Sequence, residues 1–404
     1  MDARAAYDAL FTKEGRANPY PFYASLHAHG QALDLSQPRP SATIHGYDAV
    51  HQLLRDPNFR VIDAERVDQT RPSWREHPAL VVFMNSMMFS NDPTHGRLRR
   101  HVSWAFAPRR ITALTDSIIR LVDELLDTIA AKGSAGEPVD FMAEFAYALP
   151  SNVIGALLGV PEEDRAWFRP HVIAIGGVLD GGDAGKLAAG DEAAAELMEY
   201  FARLVDARRK SPADDLVSAL VQGWESDAAL TETQLLATLT LLFNAGFETT
   251  THLLGNGLSI LLDNPDRMPE LREDPSRASA FVDEFLRMEA PAQFTTRYAA
   301  EDAEVYGVTV PAGTTVLVMF GAANHDPSRF PKPGVFDPDR PANAALTFSA
   351  GPHFCPGAAL TRLEGEIAFS RLVRRFPMIT PAGASTRLDQ LALRGFTHIP
   401  IRVG

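Results

Sequence analysis

Residues 232–263 carry one helix-periodic run, opened by Thr231 with Gln234 in a capping-box arrangement and closed by Asn264-Pro265. At 1.5 Å per residue such a helix is roughly 48 Å long, enough to cross an entire domain. Leu235, Leu236, Leu239, Leu242, Phe243, Leu253, Leu254, Leu258 and Leu261 spread over several of its faces, so other elements must enclose it. A chain with such a buried rod is committed to a large, mainly α unit. Apolar residues make up 46% of the 404, ample for that core. No low-complexity linker or internal repeat breaks the chain, so a single domain over 1–404 is expected.

The middle of this helix is locally weak. Ala245-Gly246-Phe247-Glu248-Thr249-Thr250-Thr251 places a glycine, a carboxylate and three threonines in a buried segment. Glycine there costs about 1 kcal/mol relative to alanine. The Thr249 hydroxyl, four residues after Ala245, can bond that carbonyl and open the helix locally. Gly246 leaves room for a small ligand beside the axis, and Glu248 can relay protons. A packing glycine with threonines satisfied on their own backbone explains the segment equally well.

Cys355 is the only cysteine, within Phe348-Ser349-Ala350-Gly351-Pro352-His353-Phe354-Cys355-Pro356-Gly357. A solitary thiol cannot form an internal disulfide. Proline is favoured at the first helical position and a strong helix-forming run follows, so the spacing predicts Cys355 at an N-cap. First-turn amides and the positive end of the helix dipole would favour a thiolate there. Gly351 and Gly357 allow close backbone approach, which suits a flat cofactor against the sulfur. A lone cysteine is most often a small buried hydrophobe, but the glycine–cysteine–proline–glycine setting at a helix start favours an axial thiolate ligand of a haem iron.

This stretch resembles the haem-binding signature of the cytochrome P-450 family, in which Phe348, Gly351, Cys355 and Gly357 match the recurring spacing. Ser349 departs from it where the family more often has glycine, so the turn must accept a side chain. Pro356 occupies a variable position. Residues 243–251 are similar to the family's oxygen-binding groove, which implies Ala245 and Gly246 beside the cofactor and Glu248 with Thr249 as an acid–alcohol pair that manages protons. The resemblance runs from near residue 17 to the C-terminus. It implies an α-rich triangular prism with a small β-lobe and a long central helix, and haem b (iron protoporphyrin IX) as cofactor.

Further site residues follow from position. Glu284 and Arg287 share a helix face at i, i+3, ordinarily a solvated pair worth a few tenths of a kcal/mol. Placed where the family carries Glu-x-x-Arg, and with Arg340 as third partner, they imply a buried ionic knot holding the cysteine loop. His95 and Arg99 lie four apart on a helix opened by Asp92-Pro93, and an anion between them is natural. With Arg297 and His353 they match positions that contact the haem propionates. Met84, Met87 and Met88 form a soft segment that suits an adaptable pocket wall or an ordinary core. By family position Phe243, Asn244, Ala292, Gln293, Phe294 and Phe396 face the distal cavity.

The implied reaction inserts one oxygen atom of O2 into a C–H or C=C bond of a small apolar substrate, the other leaving as water. Residues 243–251 resemble members that tailor polyketides, antibiotics among them, and other specialised metabolites. Two alternatives are a catalytically silent accessory protein on the same fold, which would lack the cysteine or the acid–alcohol pair, and a hydrolase using Cys355 and His353, for which no orienting third residue is evident. Arg97, Arg99, Arg100, Arg109 and Arg110 occupy 97–110 without an acidic residue, although the net charge is −13. A dock for an acidic ferredoxin is expected there. The absence of a Gly-x-Gly-x-x-Gly fingerprint assigns reduction of that carrier to a separate NAD(P)H-dependent ferredoxin reductase.

The acidic balance argues against general nucleic-acid binding. The N-terminus has no apolar h-region and no stretch supplies the roughly 20 apolar residues of a membrane span. A monomer in a reducing cytoplasm is the expectation. Short strands are expected at Gln31–Asp34 and Ser41–Ile44 around a Pro38-Arg39-Pro40 turn, and at Thr295–Ala299, Ala303–Tyr306, Val308–Val310 and Thr314–Met319. Helices are expected at Asp48–Arg55, near 92–106, 111–131, 139–158, 162–171, 191–209 and 213–223, and from Pro356 to Arg375.

Overall fold

The long apolar run forms the helix that its pattern predicts, and the rest of the chain packs around it. The computed structural model describes all residues except 36–40, 135, 182–183, 227–229, 342–343 and 391, so the Pro38-Arg39-Pro40 turn lies outside the described residues. The helices that build the site are α1 (Pro78–Met84), α2 (Thr94–Ser103), α3 (Thr115–Gly133), α4 (Ala148–Leu158) and α5 (Phe168–Val178). They are followed by α6 (Ala184–Lys210), α7 (Leu216–Glu225), α8 (Glu232–Asp263), α9 (Ala278–Met288) and α10 (Ala358–Arg375).

Helix α8 begins with the expected capping box, Thr231 and Gln234 each satisfying the other's backbone N–H. It is enclosed by α1, α4, α5, α6, α9 and α10, which explains why leucines occupy several of its faces. It runs as α-helix throughout, so the local opening expected at Thr249 is not a break in the helix. The main core gathers around it and extends into α3 and α10.

A five-stranded sheet forms the β-lobe: β1 (Ala32–Asp34), β2 (Ser41–Ile44), β3 (Phe59–Arg60), β4 (Thr295–Ala299) and β5 (Thr315–Val318). Their order is β1-β2-β5-β4-β3. Strands β2 and β5 are parallel, pairing Thr43 with Leu317, and β4 runs antiparallel to β5 with Arg297 opposite Val316. This register turns Arg297 inward, where it is buried. The lobe has its own apolar core.

Several boundaries differ from the sequence expectation. The run 139–158 opens as a strand at Val139–Asp140, which pairs with the C-terminal strand Pro400–Val403, and turns into α4 only after a π-helical turn at Met142–Ala146. The run 162–171 is a 3-10 segment followed by α5. The last helix starts at Ala358 with Gly357 as its cap, so Cys355 precedes the helix instead of capping it. Among the described residues no helix is long and apolar enough to cross a membrane.

Candidate active site

The loop before α10 is shaped by its glycines and one strained serine. Gly351 sits at φ +68°, and a β-carbon there would lie 2.4 Å from the Leu54 carbonyl oxygen, so only glycine fits. Ser349 adopts φ 63°, ψ −166°, a region occupied almost solely by glycine. Its hydroxyl is buried without a hydrogen-bond partner. The Cys355 N–H donates to the Phe348 carbonyl at 2.9 Å, closing the loop. The Cys355 sulfur accepts from the backbone N–H groups of Gly357 and Ala358.

Burial nevertheless pushes the Cys355 thiol up, outweighing the Gly357 and Ala358 amides and the guanidinium groups of Arg99 and Arg362. The expectation that the surroundings alone keep the sulfur ionised is therefore corrected. Two amides are aimed at the sulfur as predicted, but desolvation is stronger. A metal cation on the sulfur would supply the remaining stabilisation.

On α8 the Thr249 hydroxyl donates to the Ala245 carbonyl at 2.8 Å, as the four-residue spacing predicts. Glu248 is 5% exposed, and burial, assisted by Asp180, raises its carboxyl to about 8. It is therefore neutral at pH 7 and able to donate a proton. At Gly246 a β-carbon would press against the Ile154 side chain at 2.9 Å, so this glycine lets α4 pack closely on α8.

Basic groups converge between α2, β4 and the cysteine loop. The His95 and His353 rings lie 4.2 Å apart, and Arg99 donates to the Phe354 carbonyl at 2.6 Å, tying α2 to the loop. Burial lowers His353 to about 3 and Arg297 to about 10; Arg297, His95 and Arg99 add to the effect on His353. Among the described residues Arg297 bonds Thr295 and the Thr296 carbonyl alone, and the buried His95 Nε2 has no hydrogen-bond partner. The buried Arg297 guanidinium has no carboxylate partner among the described residues, and Arg99 and two imidazoles lie nearby, with Asp92 3.8 Å from His95 as the neighbouring acid; such a site calls for an anion. This cluster, on the same loop as a buried thiol, fits a flat iron-bearing group with acidic side arms. Among the described residues no group of three or more His, Cys, Asp or Glu could hold a bare metal ion.

The Glu284 knot is present. Arg287 makes a two-pronged pair with Glu284 at 2.6 and 2.7 Å, both residues fully buried, and Arg340 Nε joins at 3.0 Å. Both arginines also donate to backbone carbonyls of 331–335, fixing the segment that leads into the cysteine loop. This arrangement is buried and shared, unlike the solvated pair that the spacing alone suggests.

The proposed substrate contacts divide. Met84 and Met87 lie against the main core beside α1, and Met88 is exposed. Asn244 is buried and its amide oxygen is unpartnered. Ala292 bridges to Leu393, and Phe396 is buried beneath the Arg387 guanidinium at 4.2 Å. Three others pack elsewhere. Phe243 stacks on Phe168 at 4.0 Å within the core. Gln293 accepts from the Tyr23 hydroxyl and donates to the Ala290 carbonyl, and Phe294 rests on the N-terminal cluster. Position along the chain could not reveal that the N-terminal helices claim these two. Sequence reasoning also does not single out His252, although its i, i+4 spacing to Glu248 is the signal that finds it.

Comparison with known proteins agrees with this geometry. Residues 186–399 match the family model described as Cytochrome P450. The chain is 36% identical over 387 residues to the "Biotin biosynthesis cytochrome P450" of Bacillus subtilis, covering 95% of this chain and 96% of that one. It is 39% identical over 372 residues to the "6-deoxyerythronolide B hydroxylase" of Saccharopolyspora erythraea, covering 89% of each. Among solved structures it is similar to P450BioI in complex with a hexadec-9Z-enoic acid-ligated acyl carrier protein, with a TM-score of 0.89, 34% identity, and 97% and 99% of the two chains covered.

Proposed function

The chain belongs to the cytochrome P450 family and is an oxidoreductase of the monooxygenase class, and we propose that it oxidises a small, largely apolar metabolite at a haem b held by Cys355. The observation that carries this reading is the pairing of a loop thiol with a basic cluster tied to the same loop by Arg99, while the helix that follows the loop meets α8 at Thr361 and Thr250, 3.4 Å apart. Cys355 would ligate the iron, with Phe348, Gly351 and Gly357 shaping its loop and Ala245 and Gly246 on the helix above. His95, Arg99, Arg297 and His353 would take the two propionates. When bound, the haem supplies activation of O2, promoted by thiolate donation.

The residues of this chain supply the surroundings of that chemistry. Glu248, neutral at pH 7, holds a proton that it can give up; Thr249, tethered to Ala245, offers a hydroxyl to pass it. Asn244, with an unpartnered amide oxygen, would accept a hydrogen bond from a hydroxyl or N–H of the substrate. Glu284, Arg287 and Arg340 position the thiol from below. Electrons would come from a ferredoxin and its NAD(P)H-dependent reductase. The substrate class is a specialised metabolite, a polyketide or macrolide, terpenoid or peptide, consistent with the name of the erythronolide hydroxylase relative.

Absorption of the ferrous–CO complex tests the site. A thiolate-type Soret band is expected, and its loss in Cys355→Ser is the expected control; an unchanged spectrum in that variant overturns the ligand assignment. Substrate difference spectra against macrolactones, terpenoids, cyclic dipeptides and acyl-carrier thioesters identify the ligand. A low-spin to high-spin shift marks a binder.

A further inference from the structure

Glu248 does not lie at a dead end. Beside it a cavity of about 40 Å³ is lined by Tyr147, Glu248, Thr251, His252 and Thr397 among others. Thr397 is exposed, and Ile173 beside it is 37% exposed, so the cavity reaches the surface. His252 is 4% exposed, and neither ring nitrogen has a hydrogen-bond partner. A buried imidazole with both nitrogens unsatisfied is costly unless it serves a purpose. Its Nε2 lies 4.0 Å from Glu248 Oε1.

Two glycines give this pair its place. A β-carbon on Gly176 would lie 2.3 Å from Glu248 Oε2, and one on Gly395 would lie 2.1 Å from His252 Nδ1. The carboxyl therefore rests on the backbone of α5, and the ring on the backbone of the C-terminal segment. Thr251 also lines the cavity, its hydroxyl donating to the Phe247 carbonyl at 2.9 Å.

We propose that this cavity is a proton shaft from the surface to Glu248, and that His252 is its relay residue. This rests on the reading of Glu248 as the proton donor. After Glu248 gives its proton toward Thr249, His252 Nδ1 takes a proton from a cavity water as Nε2–H passes one to the carboxylate, so the ring stays neutral through the exchange. One proton enters for each that leaves, and the ring is left in its other tautomer, which a ring flip or a reverse exchange resets. A small side-chain rotation closes the 4.0 Å separation. Burial lowers His252 to about 4, so the ring stays neutral and can both donate and accept. The charged and titratable groups around the shaft are Tyr147, with the Arg169 guanidinium 3.6 Å over its ring, and Asp180, paired to Lys186 at 3.0 Å.

The test uses the holoprotein with a surrogate [2Fe–2S] ferredoxin and reductase, and reads NADH-driven O2 consumption in H2O and D2O. Glu248→Gln, His252→Ala and His252→Gln are compared, each first shown to keep its thiolate-type CO spectrum. Both His252 variants are expected to slow consumption by roughly tenfold or more and to raise the solvent isotope effect. Infrared pH titration of the carboxylic-acid band that Glu248→Gln removes gives a second readout, and its midpoint should move in the His252 variants. Recovery of full rate in His252→Gln, whose amide fills the space without exchanging protons, overturns the relay. Unchanged rates in both His252 variants while Glu248→Gln is slow overturn the relay alone. Unchanged rates in all three overturn it together with the reading of Glu248.

Discussion

Burial acts on Glu248 and on Cys355 in the same sense, favouring the neutral form of each acid. For Glu248 the consequence reaches stability. Its carboxyl is raised from 4.5 to about 8, so between those values the folded chain keeps a proton that the unfolded chain has lost. Stability therefore falls as pH rises through that window, and the whole cost is present above it. Glu248→Gln should remove this slope and gain on the unaltered protein by a few kcal/mol, read from urea midpoints at about pH 5 and about pH 9. A parallel pair of pH curves counts against a neutral acid. Ser349 offers a second measurement. Its backbone lies where glycine belongs and its hydroxyl is unsatisfied, so Ser349→Gly should stabilise by about 1–2 kcal/mol in thermal unfolding. Ser349 stands where the family more often has glycine. The sequence marked the departure; only the backbone angles showed that the serine bears the strain.

Helix α8 was legible because its signals are local: the capping box, the terminal Asn264-Pro265 and the leucine pattern need no distant partner. What covers each face was not legible. Gly257 shows the difference. A β-carbon there would lie 2.4 Å from the Phe369 ring of α10 and 2.9 Å from the Phe285 ring of α9, so this position is where three helices close on one another. Gly257→Ala gains about 1 kcal/mol in helix propensity but should lose more through overpacking, giving a net destabilisation of about 1–2 kcal/mol. A rise in melting temperature would contradict the close crossing. Helix α10 shows the opposite case. Proline after Cys355 pointed to a helix starting at once, yet Pro356 and Gly357 form a turn before it. This turn aims the Gly357 and Ala358 amides at the sulfur.

Across the molecule, charge is segregated. The net charge is −13, but the surface around the cysteine loop is basic. Arg100 and Arg109 are exposed on α2 and just after it, Arg110 lies over the Trp104 ring at 3.3 Å, and Arg362 borders a hollow lined by Ile111, Phe354 and Leu363. Trp104 and Phe354 are exposed there, an apolar centre whose rim holds these arginines together with Glu366 and the Asp283 partner of Arg362. Such a surface suits an acidic electron carrier, with charge steering the encounter and the rings completing it. Arg109→Glu combined with Arg110→Glu should slow first-electron reduction by an acidic ferredoxin about tenfold or more at low salt, with the difference shrinking as salt is added. Equal stopped-flow rates at low ionic strength would remove this face as the dock.

The sequence by itself determined the thiol, its glycine-bounded loop and the acid–alcohol segment on a long helix, while the Glu284 knot with Arg340, 56 residues away, was implied by the family resemblance. Each of the first three is written as a short spacing whose meaning survives without tertiary contacts. The fold alone decided which groups lose water, and with that their protonation: Glu248 raised, His252 and His353 lowered, Cys355 raised. It also decided that Gly246 admits Ile154, that Gln293 answers to Tyr23, and that Glu248 and His252 line one cavity. Desolvation and close approach depend on what lies opposite a side chain, and the residues opposite come from segments far away in the chain.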